Sequence, residues 1–331
     1  MAVSECNLNA NSPLDDFSNI AVIGAGSIGV AWAIVFARAR LKVALYDANA
    51  ERLPIAISEL RQRLSDLEEF SLIDEPVDTI AARIRPLADL CEALAGADYV
   101  QEAAPEDLLL KKALFSQLDN GSKPAAVLAS SSSAILASAF AGHLAGRQRC
   151  VVVHPGNPPY LVRIAEIVPA DFTDANLVVR IGDFLTAVGM VPVLVRREVE
   201  GFVFNRLQGA LLREAYCLVR DNVISVADLD RVLREGPGPR WAFMGPFETV
   251  DLNTRGGIGA HAARMGPVYE RLGAERGQND PWTDDLVAKV VAERRALLPL
   301  DQWNQRAAWR DRRLMALARL KREMDEDPRF S

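Results

Sequence analysis

The sequence predicts an α/β protein, a doubly wound parallel sheet followed by an all-helical C-terminal domain. Three observations predict it. A β-branched run passes through a glycine-rich turn into a helical stretch at Ile20–Ala37. Short β-rich runs then alternate with helical patterns as far as residue 196. After Glu200 the strand signals stop and long amphipathic helices take over. A length of 331 residues itself implies about two domains, here placed at 18–196 and 197–331 behind a polar leader, 1–17.

The leader, MAVSECNLNANSPLDDFS, has no basic segment followed by an apolar one, so it reads as a mobile extension and not a secretion signal. The next run, IAVIGAGSIGVAWAIVFA, is 18 residues long without a charge, enough to raise the question of a membrane span. Its glycines answer it. A parallel strand covered on both faces is continuously apolar, and Gly24, Gly26 and Gly29 sit where such a strand would turn into a helix. Gly24 permits the tight turn, Gly26 lets a pyrophosphate approach the helix N-terminus, and Gly29 lets helix and strand pack closely. Ser27 and Ile28 belong to the same turn. The following strand, KVALY, ends in Asp47, 18 residues after Gly29, where a carboxylate can bind both hydroxyls of an adenosine ribose and repel a 2′-phosphate. This makes the sheet Rossmann-type and favours NAD over NADP, with Arg52 nearby as the one contrary charge.

Further strands are expected at Tyr99–Gln101, Ala126–Ala129, Arg149–Val153, Ile164–Val168 and Val191–Val195. The C-terminal helices begin with Phe202–Arg220, where Leu207, Leu211, Ala215, Leu218 and Val219 recur at helical spacing. Ser225 and Asp228 form a capping box for a helix that Gly236 can end.

Ligands of open α/β sheets bind beyond the carboxyl ends of the strands, which directs attention to Ser130–Ser133 and to His154, which opens HPGNPPY. Glu166 interrupts the apolar run IAEIV, so it needs a partner or must neutralise, unless it faces water from an edge strand. His154, twelve residues upstream, is the histidine an αβ-type return would bring to it. Such a pair is a workable general base, the carboxylate holding the tautomer while the imidazole accepts a proton. Asn205, on an apolar helix, fits a satisfied buried amide and a site hydrogen-bond donor equally well.

Composition narrows the field further. A net charge of −6 without a basic excess argues against nucleic acid as partner. The three histidines, His143, His154 and His261, and the scattered Cys6, Cys91, Cys150 and Cys217 show no metal-ligand spacing, so no metal is expected. The cysteines suit reduced thiols in the cytoplasm.

From GAGSIG through HPGNPPY to GFVFNRL and MGPFETVDLN, nearly the whole chain resembles the L-3-hydroxyacyl-CoA dehydrogenase superfamily. Within it, NPPY, RWAFMGPFETVDLN and the tail WRDRRLMALARLKREM resemble the lambda-crystallin/L-gulonate 3-dehydrogenase branch. The resemblance implies a site of Ser133, His154, Glu166 and Asn205, with Glu106 and Lys111 near the nicotinamide half of NAD and near the substrate. Acyl-CoA members usually carry basic residues on the helical hairpin after the second strand. This chain has Arg61 and Arg63 there but also Asp66, Glu68 and Glu69, a poor surface for a polyphosphate. Arg240, where CoA-type members lack an arginine, could hold a substrate carboxylate bidentately. The implied activity is NAD-dependent oxidation of the 3-hydroxy group of a free acid, with L-gulonate leading. The alternatives are a 3-hydroxyacyl-CoA dehydrogenase and a structural crystallin-like protein without turnover. Gly156 and Arg163 depart from the branch, whose members tend to bulkier apolar residues or proline there.

The remaining features are read as structural. His143 and His261 are expected in surface or capping roles. The basic tail from Arg306 to Arg322, with Leu314, Leu317 and Leu320 at helical spacing, is expected as an amphipathic helix or subunit contact. No membrane contact is expected, and the helical domain suggests a homodimer.

Overall fold

The computed structural model describes residues 13–277 and 283–303, with 305–306, 309, 313, 316, 319–320, 323–324, 326–327 and 329. Most of the leader, and Leu314 and Leu317 of the tail, thus lie outside the described residues. The chain divides into two compact units, 1–211 and 212–331.

The first unit is built on an eight-stranded sheet. β1 (Asn19–Ile23), β2 (Lys42–Tyr46), β3 (Ile84–Leu87), β4 (Tyr99–Glu102), β5 (Val127–Ser130), β6 (Cys150–Pro155), β7 (Ile164–Pro169) and β8 (Val191–Leu194) lie in the order β3-β2-β1-β4-β5-β6-β7-β8. Strand order reverses beside β1, between the β1–β2 and β1–β4 pairings, which puts the crevice of a doubly wound sheet at the end of β1. Adjacent residues of one strand serve opposite faces. Ile20 and Val22 enter one core and Ala21 and Ile23 the other, which is why β1 reads as an unbroken apolar run. The helices α1 (Ser27–Arg38), α2 (Arg52–Glu69) and α7 (Ala175–Ala187) supply apolar residues to the first core. The short α4 (Leu90–Leu94), α5 (Leu108–Gly121) and α6 (Ala137–Ala141) supply the second. After α2 the chain turns into the five-residue α3 (Val77–Ala81) before β3.

Two features depart from the expected pattern. The β6–β7 pair is antiparallel inside an otherwise parallel sheet. Only residues 156–163 separate the two strands, too few for the helical crossover that a parallel pair requires. The last residue of the polar leader belongs to the core. Phe17 is buried, edge-on to Phe184 at 4.9 Å between centroids and to Tyr99 at 5.9 Å.

The helix α8 (Phe204–Arg220) contains the boundary between the units. The second unit continues with α9 (Val226–Glu235), α10 (Gly238–Trp241), α11 (Pro246–Asn253), α12 (Gly257–Glu275) and α13 (Asp284–Leu297), and has no strand among the described residues. Ser225 caps α9 as expected, its Oγ accepting from Asp228 N at 3.1 Å and donating to the Asp228 carboxylate. Buried Asp251 accepts from Ile258 N at 2.7 Å and from Arg294 and Arg295, tying α11, α12 and α13 together. His261 differs from its expected surface or capping role. It is buried on the face of α12 that carries Ile258 and Ala262, with Thr254 Oγ1 at 3.4 Å from Nδ1. Burial, aided by the charge of Arg264, holds its pKa below the ordinary value. Cys91, Cys150 and Cys217 are free thiols, and burial pushes that of Cys150 up to about 12. Among the described residues no helix is long and apolar enough to cross a membrane.

Candidate active site

At the carboxyl end of β1 the glycine turn has the geometry its sequence requires. Gly24 has φ +107°, and a Cβ there would lie 2.7 Å from Ala103 O. A Cβ on Gly29 would lie 1.7 Å from Gly24 O, so strand and helix meet only because neither residue has a side chain. Gly26 is different. A Cβ on it would meet nothing within 4 Å, because this residue faces the mouth of a cleft of about 770 Å³. Gly26 is the N-cap of α1 and offers no capping side chain, and Val30 N is the first helical N–H to find an acceptor, on Gly26 O at 2.9 Å. The N–H groups of Ser27, Ile28 and Gly29 are left for an anion, with the positive end of the helix dipole behind them.

Gly24, Gly26, Ser27, Ile28 and Asp47 all line this cleft. Asp47 Oδ2 accepts from Ala25 N at 2.8 Å and Oδ1 from Asn49 N at 2.9 Å, which fixes the carboxylate at the end of β2. Arg52 is not free to attract a 2′-phosphate. Its Nη1 and Nη2 donate to Glu59 at 2.8 and 2.7 Å and its Nε to Ala25 O at 3.0 Å. Open N–H groups for a pyrophosphate, a fixed carboxylate for a ribose and an engaged arginine fit NAD.

Three strand ends to one side of β1 carry the other candidate residues. His154 and Glu166 are direct cross-strand partners in the β6–β7 hairpin. Both are buried, with Nδ1 2.8 Å from Glu166 Oε2. Glu166 Oε1 accepts from Val203 N at 2.8 Å and Phe204 N at 2.9 Å, the amides entering α8. Burial pushes this carboxyl upward, but the bonds from His154, Phe204 and Val203 outweigh it and hold its pKa below the ordinary carboxylate range. An ionised carboxylate only accepts, so Nδ1 of His154 is the donor in this bond. Nε2 has no hydrogen-bond partner among the described residues. The ring packs against Phe202 and Phe204, with centroids at 5.5 and 6.2 Å.

Asn205 Nδ2 donates to Ser133 O at 2.9 Å. One short segment therefore gathers the site: the amides of residues 203 and 204 hold Glu166, and the side chain of Asn205 holds the serine loop. That loop is also gripped by Glu106, whose Oε1 accepts from Ser132 Oγ at 2.6 Å and from the amides of Ser133, Ala134 and Ile135 at 3.0, 3.0 and 3.2 Å. Burial works to raise the Glu106 pKa, but these bonds and the Lys111 charge hold it below the ordinary range. Lys111 is buried, 2.9 Å from Glu102 Oε1 and 3.6 Å from Glu106 Oε2. Its ammonium thus lies between two carboxylates. Arg240 is in the second unit, half-buried on α10, and its guanidinium meets no acceptor among the described residues.

Sequence reasoning missed Glu102, which is fully buried. It ends the apolar strand YVQE as Glu166 interrupts IAEIV, so the same signal was available. It also missed the amides of residues 203 and 204, which carry no side-chain signal at all.

A Rossmann-type sheet with a nucleotide cleft at β1 and a histidine–carboxylate pair at neighbouring strand ends defines a nicotinamide-dependent dehydrogenase. The chain belongs to the 3-hydroxyacyl-CoA dehydrogenase family: its NAD binding domain matches residues 19–199 and its C-terminal domain residues 201–297. The chain is 38% identical to the lambda-crystallin homolog of Bos taurus over 93% of this chain and 97% of that one. It is 34% identical to the L-carnitine dehydrogenase of Nocardiopsis dassonvillei, covering 96% and 95%. A solved structure of 5-formyl-3-hydroxy-2-methylpyridine 4-carboxylic acid 5-dehydrogenase, an NAD-dependent dismutase, is 28% identical with a TM-score of 0.69, covering 86% and 98%. The protein is an NAD-dependent oxidoreductase acting on a CH–OH group.

Proposed function

We propose that the substrate is a free 3-hydroxy acid, L-gulonate first among the candidates, oxidised to 3-dehydro-L-gulonate. The observation that carries this reading is the outer face of α2. Asp66, Glu68 and Glu69 are exposed there, while Arg61 is paired with Asp78 at 2.5 Å and Arg63 with Ser27 O at 3.0 Å. A CoA chain laid on this face would bring its phosphates to three exposed carboxylates, with the donors of both arginines already engaged. L-carnitine and the pyridine carboxylic acid handled by two of the relatives are likewise acids and not thioesters.

In this reading His154 Nε2 takes the proton of the substrate hydroxyl, and Glu166 holds the tautomer and balances the imidazolium that forms. Ser133 Oγ and Asn205 orient the hydroxyl, and the Glu106 clamp sets the position of Ser133. Nicotinamide, when bound, supplies the hydride acceptor. The freedom of the Arg240 guanidinium supports its assignment to the substrate carboxylate. A cytoplasmic location and a homodimer built through the helical unit complete the proposal.

The test is a panel of 3-hydroxy acids, free and CoA-linked, followed by NADH absorbance with the wild-type protein and His154→Gln. Free acids should turn over faster than their CoA thioesters. His154→Gln should lower kcat by about 10²–10⁴-fold with NADH binding near normal. Faster turnover of hydroxybutyryl-CoA would move the substrate to the thioester class, and NADH binding without turnover on any member would leave a crystallin-like role.

A further inference from the structure

We propose that Glu102 is a positioning residue that holds the wall of the cofactor cleft and the serine loop in register. It rests on the reading above only insofar as Ser133 serves catalysis. Glu102 sits at the end of β4 with its carboxylate fully out of water, and its side-chain hydrogen bonds lead to three parts of the site. Oε1 accepts from Ala104 N at 2.6 Å and from Lys111 Nζ at 2.9 Å. Oε2 accepts from Lys111 Nζ at 3.0 Å and from Ser130 Oγ.

The first of these bonds controls the cleft. Ala103, Ala104 and Pro105 line it beside the glycine turn, and Gly24 tolerates no Cβ because Ala103 O and Ala104 N lie so close. A shift of this loop would therefore be felt by the dinucleotide directly. The bond to Ser130 controls the serine loop. Ser130 Oγ donates to Glu102 and accepts from Ser132 N at 3.2 Å, while Ser132 Oγ bonds to Glu106. Lys111 closes the circuit by lying between Glu102 and Glu106.

A bland alternative exists for this cluster. Glu102 could be no more than the counter-charge of a buried lysine, and a buried ion pair of that kind can often be exchanged for an apolar pair without loss. The two roles separate in two variants that share Lys111→Met. In Glu102→Leu with Lys111→Met, both charges are gone and so are the bonds to Ala104 and Ser130. In Glu102→Gln with Lys111→Met, the charges are gone but an acceptor for Ala104 N and a partner for Ser130 remain. Thermal melts should show both variants folded at the temperature of the binding assay, the leucine variant the less stable because it leaves Ala104 N without its acceptor. The dissociation constant of NADH, read by its fluorescence, should be five-fold or more higher for the leucine variant than for the glutamine variant. A ratio within two-fold in folded proteins would overturn the proposal. Because this readout involves no turnover, it stands or falls independently of what His154 does. Should the leucine variant not fold, Ser130→Ala tests the other arm. It should lower kcat at least five-fold while NADH binding stays within two-fold, and an unchanged kcat would overturn the proposal.

Discussion

Gly26 and Gly29 are three residues apart and have opposite reasons for being glycine. Gly29 is held by internal packing, since any Cβ would strike the Gly24 carbonyl. Nothing in the chain itself requires glycine at 26, since a Cβ there meets open space and its φ of −71° suits any residue; the reason proposed for it is the cofactor. Alanine should separate them. Gly26→Ala should leave stability unchanged or raise it by up to about 1 kcal/mol, yet weaken NADH because the methyl group occupies the space of the pyrophosphate. Gly29→Ala should lose both stability and cofactor binding. Melting curves with and without NADH check the pair, and equal loss of stability in both variants would contradict it. These positions were legible in the sequence because the glycine turn couples a rigid spacing to one chemical purpose. Glu166 was legible for another reason, as a charge stranded among apolar residues. Glu102 gives the same signal, but at the last position of its strand, where a charge is easily read as the start of a loop.

At the scale of elements, the β6–β7 hairpin does what a helical crossover could not. It makes His154 and Glu166 direct neighbours, and the entry to α8 then brings two amides to the outer oxygen of Glu166. Gly156 makes the hairpin close. A Cβ on it would lie 2.4 Å from Val162 Cγ1 and 2.9 Å from Val162 O, and Gly156 N bonds to Ile164 O at 2.9 Å. The facing segment occupies the volume that a larger residue at 156 would need. Gly156→Val should cost about 1–3 kcal/mol of stability by overpacking and lower kcat by misplacing His154. Urea denaturation with parallel kinetics checks this, and a fully stable, fully active variant would show that the segment yields freely. The sheet order was legible only in outline. The strand β3 went unseen because IRPL holds an arginine and a proline and lies at the sheet edge, where proline is tolerated. The direction of β7 depends on the length of a connection, which periodicity does not measure.

Across the whole molecule, a set of carboxylates is held below the ordinary range by partners that exist only in the folded chain. In the first unit they include Glu59, Glu75, Asp98, Glu106 and Glu166, and in the second Asp221 and Glu248. The unfolded chain lacks those partners, so it binds protons at a higher pH than the native state does. Stability contributed by such groups is fully present above the unfolded carboxylate range and is lost as the pH falls from about 4.5 through each native value. The melting temperature should therefore be nearly flat from pH 7 to about pH 5 with respect to these groups and should fall steeply below about pH 4.5. Glu166→Gln should be less stable than the wild type at neutral pH, because the glutamine amide replaces an ionised acceptor of His154 and two backbone amides. In the acid range the difference between the two proteins should narrow, since the wild-type carboxylate is then protonated as well. Melting curves of both proteins from pH 3 to pH 7 decide the matter: a gap that stays constant through the acid limb would mean that the ionised form of Glu166 contributes nothing to the fold.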